Sequence, residues 1–168
     1  MPPRVRRTNK TILVTVEGYT EETLLRHIKT LYCLRSHPIS ISIKNARGHG
    51  PQGVIDAIQS ACKTADYMLK VAVLDGDIPI TREDKAWFDK NGVTLFISTP
   101  CIEATLLKIK GARAADVTRA CKRSLEALLP GDQTDIRYYE RHFTRDVIEG
   151  ARRTTPLIND LIILLTTL

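Results

Sequence analysis

The stretch TILVTVEGYTEETLL, residues 11–25, decides how the chain is read. Its first six residues are apolar or β-branched, the composition of a buried strand. The run stops at Glu17-Gly18. Thr20–Tyr32 then sets Leu24, Leu25, Ile28, Leu31 and Tyr32 along one face of a helix. A carboxylate followed by glycine at the tip of a buried strand demands a reason. The arrangement returns in VAVLDGD, residues 71–77, where a second apolar run ends on Asp75 and Asp77 around Gly76.

Working outward, strands and helices alternate. Ile39–Lys44 is β-branched and alternating, hence a strand, and the glycine-rich RGHGPQG (47–53) leads into a helix over Val54–Ala65. Lys70–Leu74 reads as a strand, Thr81–Lys90 as a short helix closed by Asn91-Gly92, and Val93–Ser98 as a fourth strand. A further helix opens near Ile102 or Glu103. This βαβαβαβα order predicts an α/β fold, a parallel sheet covered by helices on both faces. Right-handed crossovers give strand order 2-1-3-4 as the simplest doubly wound solution. Strands 1 and 3 are then neighbours, and ligands of such sheets bind beyond the carboxyl ends of the strands at the point where the order reverses. Glu17, Asp75 and Asp77 are thereby expected to face one another across a crevice.

Three segments follow: a basic flexible arm over residues 1–10, a core over 11–110, and a mainly helical extension over 111–168 that packs on the core. Gly111 and Pro130-Gly131 are natural breaks in the extension. The closing LINDLIILLTTL suits a packed helix or a last strand. A chain of 168 residues with 43% hydrophobic residues can bury a core without staples. It has no uncharged apolar run of about 18 residues or more, so no transmembrane helix is expected and a cytoplasmic location is the better reading. The four cysteines (33, 62, 101 and 121) form no CxxC pair and no zinc spacing, which suits reduced, structural thiols. The four histidines show no paired spacing for a metal.

The formal net charge of +6 is unevenly spread. Arg4, Arg6, Arg7 and Lys10 stand in the first ten residues with no acid among them, whereas residues 11–100 carry ten basic and ten acidic side chains. A basic arm beside a neutral body suits a polyanionic partner such as nucleic acid, or else serves as a solubilising tail.

Like-charged carboxylates gathered at one crevice repel unless a cation joins them. Hard divalent ions with oxygen ligands are the usual remedy, and Mg²⁺ (or Mn²⁺) holds a few carboxylates while keeping waters for a phosphate. Gly76 between the two aspartates permits a turn that aims both at one ion. Glu21 lies in the first helical turn after Glu17 and either adds a ligand or complements the helix dipole. Glu103, opening the helix after strand 4, has the same two readings. Arg47 and His49, in the glycine-rich loop after strand 2, either position a phosphate or belong to a plain loop. Arg137, Arg141 and Arg145 recur at i, i+4, i+8, which is expected to align them on one helical face as a nucleic-acid stripe or a solvated, acid-paired surface.

These motifs resemble the TOPRIM domain, the metal-dependent module of topoisomerases, primases and OLD-family nucleases. That family has a glutamate, usually before glycine, at the end of strand 1 and an Asp-x-Asp at the end of strand 3. The chain is most similar to RloB-like proteins of prokaryotic phage-defence and mobile loci, in which EG-x-TE, D-x-D and PC-x-E-x-x-LL occur in order. Here they are EGYTE (17–21), DGD (75–77) and PCIEATLL (100–107). Ile102 and Ala104-Thr105 stand where those proteins carry aromatic residues. The resemblance implies Mg²⁺-dependent phosphodiester hydrolysis of DNA or RNA. Asp75 and Asp77 would hold metal, Glu17 would be general base or ligand, and Glu21 and Glu103 would complete the shell. No GxxxxGK[ST] motif is present, so an ATPase of the OLD type would be a separate chain. Two other classes compete. One is a non-catalytic nucleic-acid-binding or ATPase-partner subunit. The other is a phosphohydrolase of the haloacid dehalogenase type, disfavoured because its aspartates belong on the first strand.

Overall fold

The computed structural model describes residues 10–33 and 38–167. Four strands, β1 (Lys10–Val16), β2 (Ile39–Asn45), β3 (Leu69–Asp75) and β4 (Val93–Ser98), form one parallel sheet in the order β2-β1-β3-β4. The strand order and the direction agree with the sequence reading. Helices α1 (Tyr19–Tyr32), α2 (Gly50–Cys62) and α3 (Arg82–Lys90) make the crossovers, and α4 (Ile102–Ile109) follows β4.

Successive residues of a strand point to opposite faces, so the central strands divide their side chains between two cores. Ile12, Val14 and Val16 of β1 and Val71 and Val73 of β3 pack with Leu24, Leu25 and Ile28 of α1 and with Leu106 and Leu107 of α4. Leu13, Ala72 and Leu74 turn the other way, onto Val54, Ile55 and Ile58 of α2 and Phe88 of α3. Both faces of β1 and β3 are dry, which is why these strands read as unbroken apolar runs.

The extension is helical: α5 (Thr118–Leu128), α6 (Ile136–His142), α7 (Arg145–Ala151) and α8 (Pro156–Thr166). The closing segment is thus a helix, with Pro156 in its first turn, where a missing N–H costs nothing. Cys121, Leu125, Tyr139, Phe143, Ile148 and Leu161 join the core of β1, α1 and α4, so the extension is welded to the larger of the two cores. Among the described residues no helix is long and apolar enough to cross a membrane.

One loop departs from ordinary backbone. Arg47, Gly48, His49 and Gly50 all have positive φ, between 59° and 92°. For Arg47 and His49 this costs about 1–2 kcal/mol each. Two bonds to the first strand hold the loop there: Ala46 N–H donates to the Val16 carbonyl (2.9 Å) and Gly48 N–H to that of Glu17 (2.9 Å). Asn45 adds a third tie, its Oδ1 accepting from Arg47 N–H at 2.7 Å. α2 therefore begins at Gly50, one turn before the expected Val54. Gly53 lies in that added turn, and a Cβ there would stand 2.4 Å from the Gly48 oxygen. Gly53→Ala, which in an open helix would stabilise, should here destabilise by about 1–3 kcal/mol. A urea titration checks this, and an unchanged midpoint would mean that the loop yields freely.

Candidate functional site

The first tip is built by β1, whose last residue precedes Glu17. Glu17 Oε2 accepts the N–H of Asp75 at 3.3 Å, tying the ends of β1 and β3 together. Gly18 then caps α1 without a side chain, and a Cβ on it would come 3.1 Å from Glu21 Oε2. That explains the glycine: it leaves room for the Glu21 carboxylate, which folds back onto its own backbone N–H. Tyr139, buried in α6, donates its hydroxyl to the Thr20 carbonyl (3.1 Å) and braces this first turn.

Asp75 ends β3, and its Oδ1 accepts the N–H of Ile102 at 2.8 Å. Cys101, the N-cap of α4, offers no side-chain cap, so Asp75 serves that role from another strand. Gly76 is fitted to a close approach. Its N–H donates to the Ser98 carbonyl (2.8 Å), and a Cβ would lie 3.1–3.3 Å from Thr99, Ser98 and Ile97. The glycine thus serves contact with the end of β4. Glu103, 6% exposed, enters from the first turn of α4. Its Oε1 lies 3.9 Å from Lys122 Nζ of α5, and its buried Oε2 has no partner.

Glu17, Glu21, Asp75 and Glu103 line one open cleft of about 360 Å³, together with Gly18–Thr20, Arg47, Gly48, Ile102 and Lys122. Its walls hold four carboxyl groups against two cations. Burial pushes the Asp75 carboxyl up to about 8, with Glu21, Glu103, Glu17 and Asp77 adding repulsion. Burial likewise raises Glu21 to about 7; its own N–H and Lys122 pull against this, and Glu17 and Glu103 reinforce it. Glu17 is also raised, first by burial and then by Asp77, with the Asp75 N–H opposing. The Cys101 thiol is raised to about 12, mainly by burial and further by Glu103, which favours its protonated form.

The other expected site residues divide. Asp77 is not in the cleft: it is exposed in the turn after β3, where its Oδ2 accepts from Thr118 Oγ1 at 2.7 Å. Arg47 lines the cleft, but His49, exposed at the start of α2, does not. The expected single face carrying Arg137, Arg141 and Arg145 does not exist. α6 ends at His142 and α7 begins at Arg145, because Phe143 turns into the core and breaks the helix. Arg137 is forked onto Asp135 (2.9 Å), and with Arg141 it lines a separate pocket of about 190 Å³ beside Gly131. Arg145 lies over the Tyr32 ring, 5.0 Å from its centroid, and donates to the Leu31 carbonyl. Arg4, Arg6 and Arg7 lie outside the described residues, as does the side chain of Lys10.

Sequence reasoning missed Lys122, Thr118 and Tyr139. Lys122 stands in TRACKRSLEAL beside Arg119 and Arg123, and nothing local separates it from them. Only the packing of α5 on α4 selects it.

The donor set is all oxygen, the chemistry of a hard cation, and the unpartnered Glu103 Oε2 is a free ligand atom. Among the described residues, however, no three His, Cys, Asp or Glu side chains converge as a ready-made metal cage. Asp75 and Glu17 are each turned toward a backbone N–H instead. Comparison with protein-family models, with curated proteins and with solved structures finds no match to this chain.

Proposed function

We propose that the cleft is the site of a Mg²⁺- or Mn²⁺-dependent nuclease that hydrolyses phosphodiester bonds of DNA or RNA. One observation carries this reading. Four carboxyl groups from three chain segments gather where β1 and β3 meet at the carboxyl edge of the sheet, and burial, with mutual repulsion added, raises two of them to about 7 and about 8. A site that strains carboxylates in this way favours a cation. Asp75, Glu21 and Glu103 would hold it, with Asp77 reaching in from the rim. Bound there, it would polarise the scissile phosphate and stabilise the leaving oxygen. Glu17, its basicity raised by burial, would take the proton of the attacking water. Arg47, which also lines the cleft, would orient a phosphate.

The resemblance to TOPRIM proteins, and to RloB-like ones in particular, supports this reading and points to prokaryotic defence, in the cytoplasm, with a separate ATPase as a candidate partner. A second reading is a non-catalytic subunit that binds nucleic acid or the ATPase. It is favoured by the lack of three converging side chains among the described residues. Incubation of the purified chain with plasmid, single-stranded DNA and tRNA, in Mg²⁺, Mn²⁺ or EDTA, separates the two. Cleavage of at least one substrate that EDTA abolishes is expected. Binding without cleavage, with and without an ATPase encoded beside it, would select the subunit.

A further inference from the structure

Helix α5 lies beyond the part of the chain that carries the TOPRIM motifs, yet it reaches the site twice. Thr118 Oγ1 donates to Asp77 Oδ2 at 2.7 Å, across 41 residues of sequence. One turn on, Lys122 Nζ approaches Glu103 Oε1. Residues four apart share a helical face, so one face of α5 touches both Asp77, in the exposed turn after β3, and Glu103, buried at the cleft. The helix is held firmly by Cys121 and Leu125, both 0% exposed in the core.

Other helical threonines bond first to their own helix: Thr30 and Thr166 return their hydroxyls to a carbonyl one turn back, and Thr23 does the same while also reaching the Thr134 carbonyl at 3.2 Å. Thr118 is the first residue of α5, with no turn before it, and its hydroxyl is free to reach across the fold. Its β-branched side chain has few rotamers, so the donor is stiffly aimed. Asp77 sits in an exposed turn where its carboxylate would otherwise sweep many directions. A hydroxyl donated to one oxygen narrows the orientations of the group and leaves the second oxygen open.

We propose that Thr118 is a positioning residue for the acidic site, holding the Asp77 carboxylate so that its free oxygen can join the ligands of a divalent cation. The inference rests on the metal-site reading given above. It assigns the helical extension a part in the site, where the sequence motifs end before it.

The test is Mn²⁺ binding, followed by the electron paramagnetic resonance of free Mn²⁺ against metal-free full-length protein. Thr118→Val keeps the shape and removes the donor; Thr118→Ser keeps the donor. Loss of a hydrogen-bond partner behind a metal ligand costs about 10–100-fold in affinity. Thr118→Val should weaken Mn²⁺ binding by about that factor, and Thr118→Ser should restore it. In an Asp77→Asn background, Thr118→Val should have almost no further effect, because the two residues act as one unit. Wild-type affinity in Thr118→Val would overturn the inference while leaving the metal site standing. So would tighter binding, which would make the hydroxyl a latch holding Asp77 away. An equal loss in the Asp77→Asn background would reduce Thr118 to a packing role. A wild-type chain that takes up no Mn²⁺ overturns the metal site and this inference together.

Discussion

Glu17→Gln is expected to lower metal-dependent cleavage by about 10²–10⁴-fold, the range for loss of a positioned general base. Glutamine is the informative replacement. Glu17 also has a structural duty, since its Oε2 accepts the Asp75 N–H at 3.3 Å and so joins the two strand tips. A glutamine oxygen keeps that bond, whereas alanine would leave a half-buried N–H without a partner and blur the result. Binding of an oligonucleotide in EDTA should persist in Glu17→Gln, as should the far-ultraviolet circular dichroism. Single-turnover cleavage under saturating enzyme gives the rate. A variant that cuts at the wild-type rate would assign the activity to another site or to a contaminant.

The sheet was legible because its central strands, β1 and β3, are buried on both faces. VTV and VAVL leave no ambiguity of period, and the turn residues between segments are where the chain turns. Strand order followed from right-handed crossovers together with the choice of the simplest doubly wound arrangement. Boundaries slipped where chemistry was tertiary. α2 starts at Gly50 because the loop before it is tied to Val16 and Glu17; Pro51 in its first turn was a local start signal, masked by the glycines on either side of it. The arginine stripe failed for a similar reason. Its spacing is helical, but Phe143 is drawn into the core between the second and third arginines and ends the helix.

The site was legible as composition and only partly as geometry. The motifs pointed to Glu17, Glu21, Asp75 and Glu103, and these do share a cleft. Spacing could not show that Asp75 and Asp77 take different partners, one accepting from Ile102 and the other from Thr118. Nor could it show that Gly18 serves Glu21, since the contact depends on how a side chain folds back over its own helix end. Lys122 was invisible because a lysine on a basic helix is ordinary until that helix is docked.

The metal-free chain should lose thermal stability as pH rises, and metal should return it. The Asp75 carboxyl titrates at about 8 when folded against an ordinary 3.8, and Glu21 at about 7 against an ordinary 4.5. Each group holds its proton more tightly in the folded state. Between the two values the folded chain therefore binds more protons than the unfolded one, and stability falls with rising pH across that window. The decline should run from about pH 4 and level off near pH 8–9, opposite in sign to the usual acid denaturation. A cation reverses it by displacing those protons, so its affinity strengthens with pH. At about 100 times its Kd, a ligand adds about 2.7 kcal/mol, a rise in Tm of about 5–10 °C for a chain of this size. The Mg²⁺ or Mn²⁺ increment should be larger at pH 8.5 than at pH 6. Asp75→Asn should flatten most of the pH dependence and remove most of the increment. It still accepts the Ile102 N–H, whereas Asp75→Ala would also forfeit that cap of α4, at a cost of about 1 kcal/mol. Scanning calorimetry across pH, with EDTA and with millimolar metal, reads all of these. Coincident melting curves with and without metal at pH 8.5 would remove the cation from the site, and a metal-free Tm that climbs with pH across this window would show that these carboxyls are not raised in the folded chain.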